Sequence, residues 1–112
     1  MERMQDVVII EGARTAIGKF GGSLKDVPAS ELGAIVIKEA VTRSGINVSD
    51  VQEVIMGNSI QVTESGYAAR KAALGAGIPD TVPTMAVNRQ CSSGLEAINM
   101  AAQMIKAGEI EV

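Results

Sequence analysis

Apolar positions along the chain fall in short unbroken runs separated by stretches at helical spacing, an alternation that predicts stacked βαβ units around a parallel sheet. The run from Asp6 to Glu11 contains "VVII" without interruption, the pattern of a strand covered on both faces, and Gly12 ends it. After the glycine-rich turn "GKFGGSL", Pro28 stands where a helix can start. Leu32, Ile35, Val36 and Ala40 then recur at helical spacing as far as Gly45. "SDVQEVIMGNS" supplies a turn and a second strand, from about Glu53 to Asn58. The Ala-rich stretch from Tyr67 to Leu74 predicts a short second helix that stops at "GAG". Pro79 and Pro83 bracket a loop, Thr84 to Asn88 forms a third strand, and a third helix runs from Ser92 to Ala107 before Gly108. Ile110 to Val112 has the composition of a fourth strand just beginning. A sheet left incomplete in this way is expected of a fragment.

Within the third helix Ser92, Glu96, Asn99, Gln103 and Lys106 share one narrow stripe. The remainder, Leu95, Ala97, Ile98, Met100, Ala101, Ala102, Met104 and Ile105, is apolar, which predicts a helix buried over most of its surface. Met56, Met100 and Met104 read as flexible core filling, with no cofactor implied.

Composition narrows the function classes. A chain of 112 residues with 46% apolar content is sized for one globular unit with a modest core. A net charge of −3, with the ten Lys and Arg residues scattered, argues against a nucleic-acid partner. The single Cys can form no internal disulfide. The N-terminus "MERMQDVVIIEGAR" carries neither a long apolar core nor an Arg-rich amphipathic stretch, so a reducing cytoplasm is expected. No apolar run approaches the roughly 20 residues of a membrane span, so no membrane association is expected.

The glycine-rich segments do not read as nucleotide sites. In "GARTAIGKF" five residues separate Gly12 from Gly18, where a phosphate loop needs four, and Phe20 follows Lys19 in place of Ser or Thr. Gly75 and Gly77 follow a helix, and Asp80 occupies the place of the last glycine of a dinucleotide fingerprint. Turns explain both. No metal site is expected either.

Cys91 is the candidate for chemistry. A lone Cys in a cytosolic protein is more often a small buried residue than a reactive one. Its context reverses that expectation, because it lies at a strand-to-helix junction just ahead of the first helical turn. Unpaired N–H groups and the helix dipole there favour a thiolate, the reactive form. Ser92, Ser93 and Gly94 keep the surroundings small, so an acyl group could approach the sulfur and a developing oxyanion could meet backbone donors. Arg70, Glu64 and Tyr67 could touch a ligand, but solvated surface positions account for them better.

"VNRQCSSGLEAI", with "EGARTAIGKFGGSL", "ELGAIVIKEA", "VIMGNSIQ" and "AARKAALGAGIPDTVP", resembles the thiolases, the acetyl-CoA acetyltransferases and 3-ketoacyl-CoA thiolases. The resemblance spans nearly the whole chain, and its most specific element is the run from Asn88 to Leu95. It implies a layered α/β fold, here an incomplete N-terminal βαβαβα portion, with residues 1–112 forming part of the N-terminal domain. It implies that Cys91 is acylated by an acyl-CoA thioester and that its N–H helps to hold the thioester oxygen. A second CoA substrate would then complete Claisen condensation to acetoacetyl-CoA or the reverse thiolysis. Coenzyme A thioesters would be substrates, with no bound cofactor, and a homo-oligomer is expected. Two His residues and a second Cys of the family's C-terminal half assist this chemistry, whereas the present chain has no His and no other Cys. A catalytically silent thiolase-like fragment or interaction module is the alternative. The resemblance further implies that the strand after Val112 lies beside the first, leaving the "VVII" edge exposed here. "TESGYAAR" stands where many relatives carry Gly-Gln-Asn before Ala-Arg, so the loop from Gln61 to Gly66 is expected to differ in shape.

Overall fold

The computed structural model describes residues 4–112. Helix α1 (Ala29–Ser44) follows Pro28, whose ring leaves no N–H unpaired at the helix start, and Glu31 and Arg43 complement the dipole at its two ends. Gly45 ends it in the left-handed conformation, φ 72°, where a side chain would be strained. Strands β1 (Val54–Gly57) and β2 (Thr84–Val87) pair in parallel, with Val54 opposite Thr84 and Gly57 opposite Val87. The crossover between them carries a 3₁₀ turn, Thr63–Tyr67, and helix α2 (Ala68–Gly75). Helix α3 (Ser93–Lys106) follows β2 and packs on β1. The helices and strands read from the periodicity between residues 28 and 108 are therefore all present, within about two residues of their expected ends.

α1 and α2 approach closely because the residues between them are small. Ala68, Ala69, Ala72 and Ala73 are buried, and a Cβ placed on Gly33 would lie 2.8 Å from the Cβ of Ala72. α2 closes with the Ile78 N–H bonded to the Ala73 carbonyl at 3.0 Å and the Gly77 N–H to that of Leu74 at 3.1 Å. This turn delivers Ile78 into a core with Val51, Val54, Ala73 and Val82, flanked by Ile37, Val41, Ile46, Val48 and Met56. Met56 does fill a gap there, although it, Met100 and Met104 are only half-buried.

Three expectations need correction. The run from Asp6 to Glu11 is not a strand: among the described residues it has no ladder partner, and Val8, Ile9 and Ile10 are 73%, 80% and 59% exposed. An unbroken apolar run reports what would be covered, whereas a strand also needs a lateral hydrogen-bonding neighbour. Here the run faces two open clefts. One, of about 1070 Å³, separates it from Ile98, Ala101 and Ile105 of α3; the other, of about 420 Å³, from Ile37 and Val41 of α1 and Val54 of β1. The second correction concerns α3, which buries only Ser93 and Ala97, while Leu95 and Ile98 stay largely exposed. One face rests on β1, and much of the remaining apolar surface lines the larger cleft.

The third concerns the chain after α3. Ile110 to Val112, expected as the start of a fourth strand, forms none. The Gln52 N–H instead donates to the Val112 carbonyl at 2.8 Å, and the Gln52 side-chain oxygen accepts from the Glu111 N–H at 2.6 Å. Gly108, left-handed at φ 77°, turns the chain directly after α3, and the segment beyond it is held at Gln52, just ahead of β1.

Candidate active site

Cys91 sits on a tight turn joining β2 to α3. Beyond the ladder proper, the Asn58 N–H donates to the Val87 carbonyl at 2.9 Å, so the chain enters the turn still held against the sheet. Asn88 then works in two directions. Its side-chain oxygen accepts from the Gln90 N–H at 3.0 Å, and its amide nitrogen donates to the Ser59 carbonyl at 3.3 Å. The turn is completed by the Ser92 N–H on the Arg89 carbonyl and the Ser93 N–H on the Gln90 carbonyl, both at 3.1 Å.

Two features of this turn were not foreseen. Gln90 is left-handed, φ 53°, a conformation that costs a residue with a Cβ roughly 1–2 kcal/mol. Ser93, 4% exposed, closes the turn with its hydroxyl, which accepts from the Arg89 N–H at 2.9 Å and donates to the Gln90 carbonyl at 2.6 Å. A further constraint comes from below. A Cβ on Gly57 would stand 2.5 Å from both the nitrogen of Gly94 and the carbonyl carbon of Ser93, so the end of β1 touches the first turn of α3 directly. The start of α3 can therefore neither tilt nor slide without disturbing the strand.

The outcome is an exposed thiol two residues ahead of a helix packed on a strand. Among the described residues the Cys91 N–H donates to no protein acceptor, which leaves it for an incoming oxygen. A Cβ on Gly94 would meet nothing within 4 Å, so the approach over the helix start is open. Exposed Arg89 and half-buried Glu96 form a loose pair across the turn at 3.7 Å, too long to fix the turn by itself. Among the described residues no three Cys, Asp or Glu side chains converge as a metal site would require.

The other residues weighed from the sequence lie elsewhere. Arg70 donates to the carbonyls of Val82 at 2.9 Å and Asp80 at 2.8 Å, bracing the loop that leads into β2. Glu64 accepts a hydrogen bond from the Ser30 hydroxyl, which ties the segment after β1 to the start of α1. These two are structural braces, a role that sequence reasoning missed because neither partner is near in the chain. Tyr67 remains on the surface, 76% exposed. The segment from Gln61 to Gly66 leads into the 3₁₀ turn Thr63–Tyr67, with Thr63 left-handed at φ 48°. Ser65 is its hub: the hydroxyl accepts from the Val62 N–H at 3.1 Å, and the carbonyl accepts from the Asn58 amide at 2.8 Å.

Comparison with known proteins places this geometry. Residues 7–112 match the family model described as "Thiolase, N-terminal domain". An acetyl-CoA acetyltransferase of Cupriavidus necator is 51% identical over 109 residues, which cover 97% of this chain and 28% of that protein. One of Pseudomonas aeruginosa is 46% identical with the same coverage. The crystal structure of the Bacillus anthracis acetyl-CoA acetyltransferase superposes with a TM-score of 0.91 at 49% identity, over 96% of this chain and 27% of that one. A thiolase from Ascaris suum, solved in complex with coenzyme A, gives 0.91 at 35% identity over 95% and 28% of the two chains. The chain thus spans a little over a quarter of the length of the relatives it matches.

Proposed function

The chain belongs to the thiolase family, matching its N-terminal domain, and from that premise we propose that it supplies the acyl-accepting cysteine of an acyl-CoA C-acyltransferase. One observation carries the reading: the lone Cys91 is exposed on the braced turn that opens α3, with its own N–H free to receive an oxygen. The Cys91 thiolate attacks the carbonyl carbon of an acyl-CoA thioester, and the oxygen takes up negative charge against the Cys91 N–H. Collapse of the tetrahedral intermediate breaks the bond to the CoA sulfur. CoA leaves as a thiolate that takes a proton, and the acyl group stays on Cys91 as a new thioester. In the complete reaction a second CoA substrate accepts that acyl group, either by carbon–carbon bond formation to acetoacetyl-CoA or by thiolysis in reverse. The coenzyme A complex of the Ascaris suum relative supports CoA thioesters as the substrate class. Residues 1–112 act as part of a thiolase N-terminal domain in this reading, and the place of action is acyl-CoA and lipid metabolism in the cytoplasm, where a free reactive thiol stays reduced.

Incubation of the 112-residue chain with acetyl-CoA tests the proposal. The expected result is one acetyl group added per chain, mapped to Cys91, with an equal amount of CoA released. No acetoacetyl-CoA is expected above a Cys91→Ala control. Condensation requires a base near neutral pH to remove a methyl proton, and the chain has no His and no second Cys, leaving only carboxylates. A chain that stays unmodified would favour the second reading, a catalytically silent thiolase-like module, which the lack of His also supports. Acetoacetyl-CoA formation dependent on Cys91 would show that the proton transfer is done by residues within this chain.

We extend the proposal to assembly as a homo-oligomer. Val8, Ile9 and Ile10 stand exposed, and the outer edge of β2 is unpaired among the described residues, two surfaces that invite association. The chain should elute ahead of a monomer on sizing, and Ile9→Lys should shift it towards the monomer position. Monomeric elution of the unsubstituted chain would rule out association through these surfaces.

A further inference from the structure

A buried polar group stands close to the proposed nucleophile and takes no part in the acyl-transfer steps above. Ser93 is the only buried polar or charged residue among those described, and its hydroxyl makes two hydrogen bonds, both within the turn that presents Cys91. It accepts from the Arg89 N–H and donates to the Gln90 carbonyl, so the hydroxyl bridges the two ends of the Arg89–Gln90 dipeptide, within which lies the Gln90 φ of 53° that opposes its intrinsic preference. A buried hydroxyl that bridges the two ends of a dipeptide containing a strained residue holds the strain in place, since relaxation of Gln90 would pull its carbonyl and the Arg89 N–H out of reach of the Ser93 hydroxyl and leave that hydroxyl buried without its partners.

We propose that Ser93 is a positioning residue for Cys91: its buried hydroxyl holds Gln90 left-handed, and the left-handed Gln90 sets Cys91 with its sulfur and N–H directed to the open side of the α3 start. The inference rests on Cys91 as the acyl acceptor and adds a residue that acts only through it. Asn88 cannot substitute for Ser93, because it reaches Gln90 from the N–H side alone. The first turn of α3 cannot yield either, being pressed on Gly57, so a relaxing turn must displace Cys91.

The mechanism predicts a specific coupling. Glycine adopts a left-handed φ without penalty, so Gln90→Gly makes the clamp unnecessary. The measurement is the rate of Cys91 alkylation by iodoacetamide at neutral pH in the folded chain, divided by the rate in the urea-unfolded chain. Ser93→Ala removes both hydrogen bonds and should lower this ratio by about fivefold or more, since one net hydrogen bond already sets about that scale. Gln90→Gly alone should leave it within about twofold of the parent, and the double variant should return to within about twofold of Gln90→Gly. Loss of packing or general destabilisation at Ser93 would not be repaired by a glycine three residues away. An unchanged ratio in Ser93→Ala, or a double variant as low as Ser93→Ala, overturns the proposal. Should Ser93→Ala fail to fold, recovery of the folded chain in the double variant supports the clamp and continued unfolding overturns it. The acyl-transfer reading fails separately: acetyl-CoA that leaves Cys91 unmodified refutes that reading, while the alkylation cycle, which needs only the thiol, still decides the role of Ser93.

Discussion

Replacing Cys91 by Ser should reduce acetyl transfer from acetyl-CoA by on the order of 10³-fold or more, the range in which loss of a covalent nucleophile falls. The substitution exchanges sulfur for oxygen at an exposed position, so the fold is expected to survive unchanged. Chemistry alone distinguishes the two side chains. A thiol yields its proton near neutral pH and a hydroxyl does not, and the helix start cannot close so wide a gap. The product differs too, since acyl transfer to Cys91 exchanges one thioester for another, whereas transfer to Ser would form an oxygen ester. Mass measurement after incubation with acetyl-CoA, with circular dichroism to confirm the fold, checks the prediction. Cys91→Ser that is acetylated at the parent rate would remove the thiol from the mechanism, and acetylation of a lysine in both chains would point to nonspecific transfer.

Much of this site is legible in the linear order of residues. β2 and α3 announce themselves as an apolar run and a helical repeat, and Cys91 falls in the few positions between them, so its placement ahead of a helix follows from local pattern alone. α1 is similarly readable from its two ends, because Pro28 and Gly45 each impose a backbone geometry that needs no knowledge of the rest of the fold. The features that escaped are those set by neighbours distant in sequence. Nothing in "VVII" says whether another strand runs beside it, and the apolar spacing of α3 cannot say how much of its surface is covered. Arg70 looked like a solvated cation because its acceptors are two loop carbonyls of Asp80 and Val82, and main-chain atoms leave no mark in composition. The left-handed Gln90 was hidden for a related reason: the usual sign of such a conformation is Gly or Asn, and here a buried serine hydroxyl stands in for that preference.

Gly57→Val should destabilise the folded chain by ~3 kcal/mol, the upper part of the usual range for overpacking, and should displace Cys91 as it does so. The reason lies in which atoms surround the glycine. A Cβ there would meet the nitrogen of Gly94 and the carbonyl carbon of Ser93 at 2.5 Å and the Cα of Gly94 at 2.7 Å. All three are backbone atoms, so no side-chain rotation can make room. Either β1 must bend out of register with β2, or the first turn of α3 must lift. The second is the outcome expected, because Gly57 is locked opposite Val87 in the ladder, so the added methyl groups push the first turn of α3 outward from its seat on the strand. Lifting α3 withdraws Ser93 from the Arg89–Gln90 turn, so stability and the Cys91 alkylation ratio should fall together. Gly57→Ala should show the same two effects at smaller size, because even one methyl violates the contact. Gly12→Ala is the control, as a Cβ at Gly12 meets nothing within 4 Å, and its urea midpoint should stay near that of the parent. Urea titration of the three variants checks the order Gly12→Ala, Gly57→Ala, Gly57→Val. A Gly57→Val chain as stable as the parent, with Cys91 alkylated at the parent ratio, would show that the start of α3 is not seated on β1 and that the turn holds Cys91 without support from the strand.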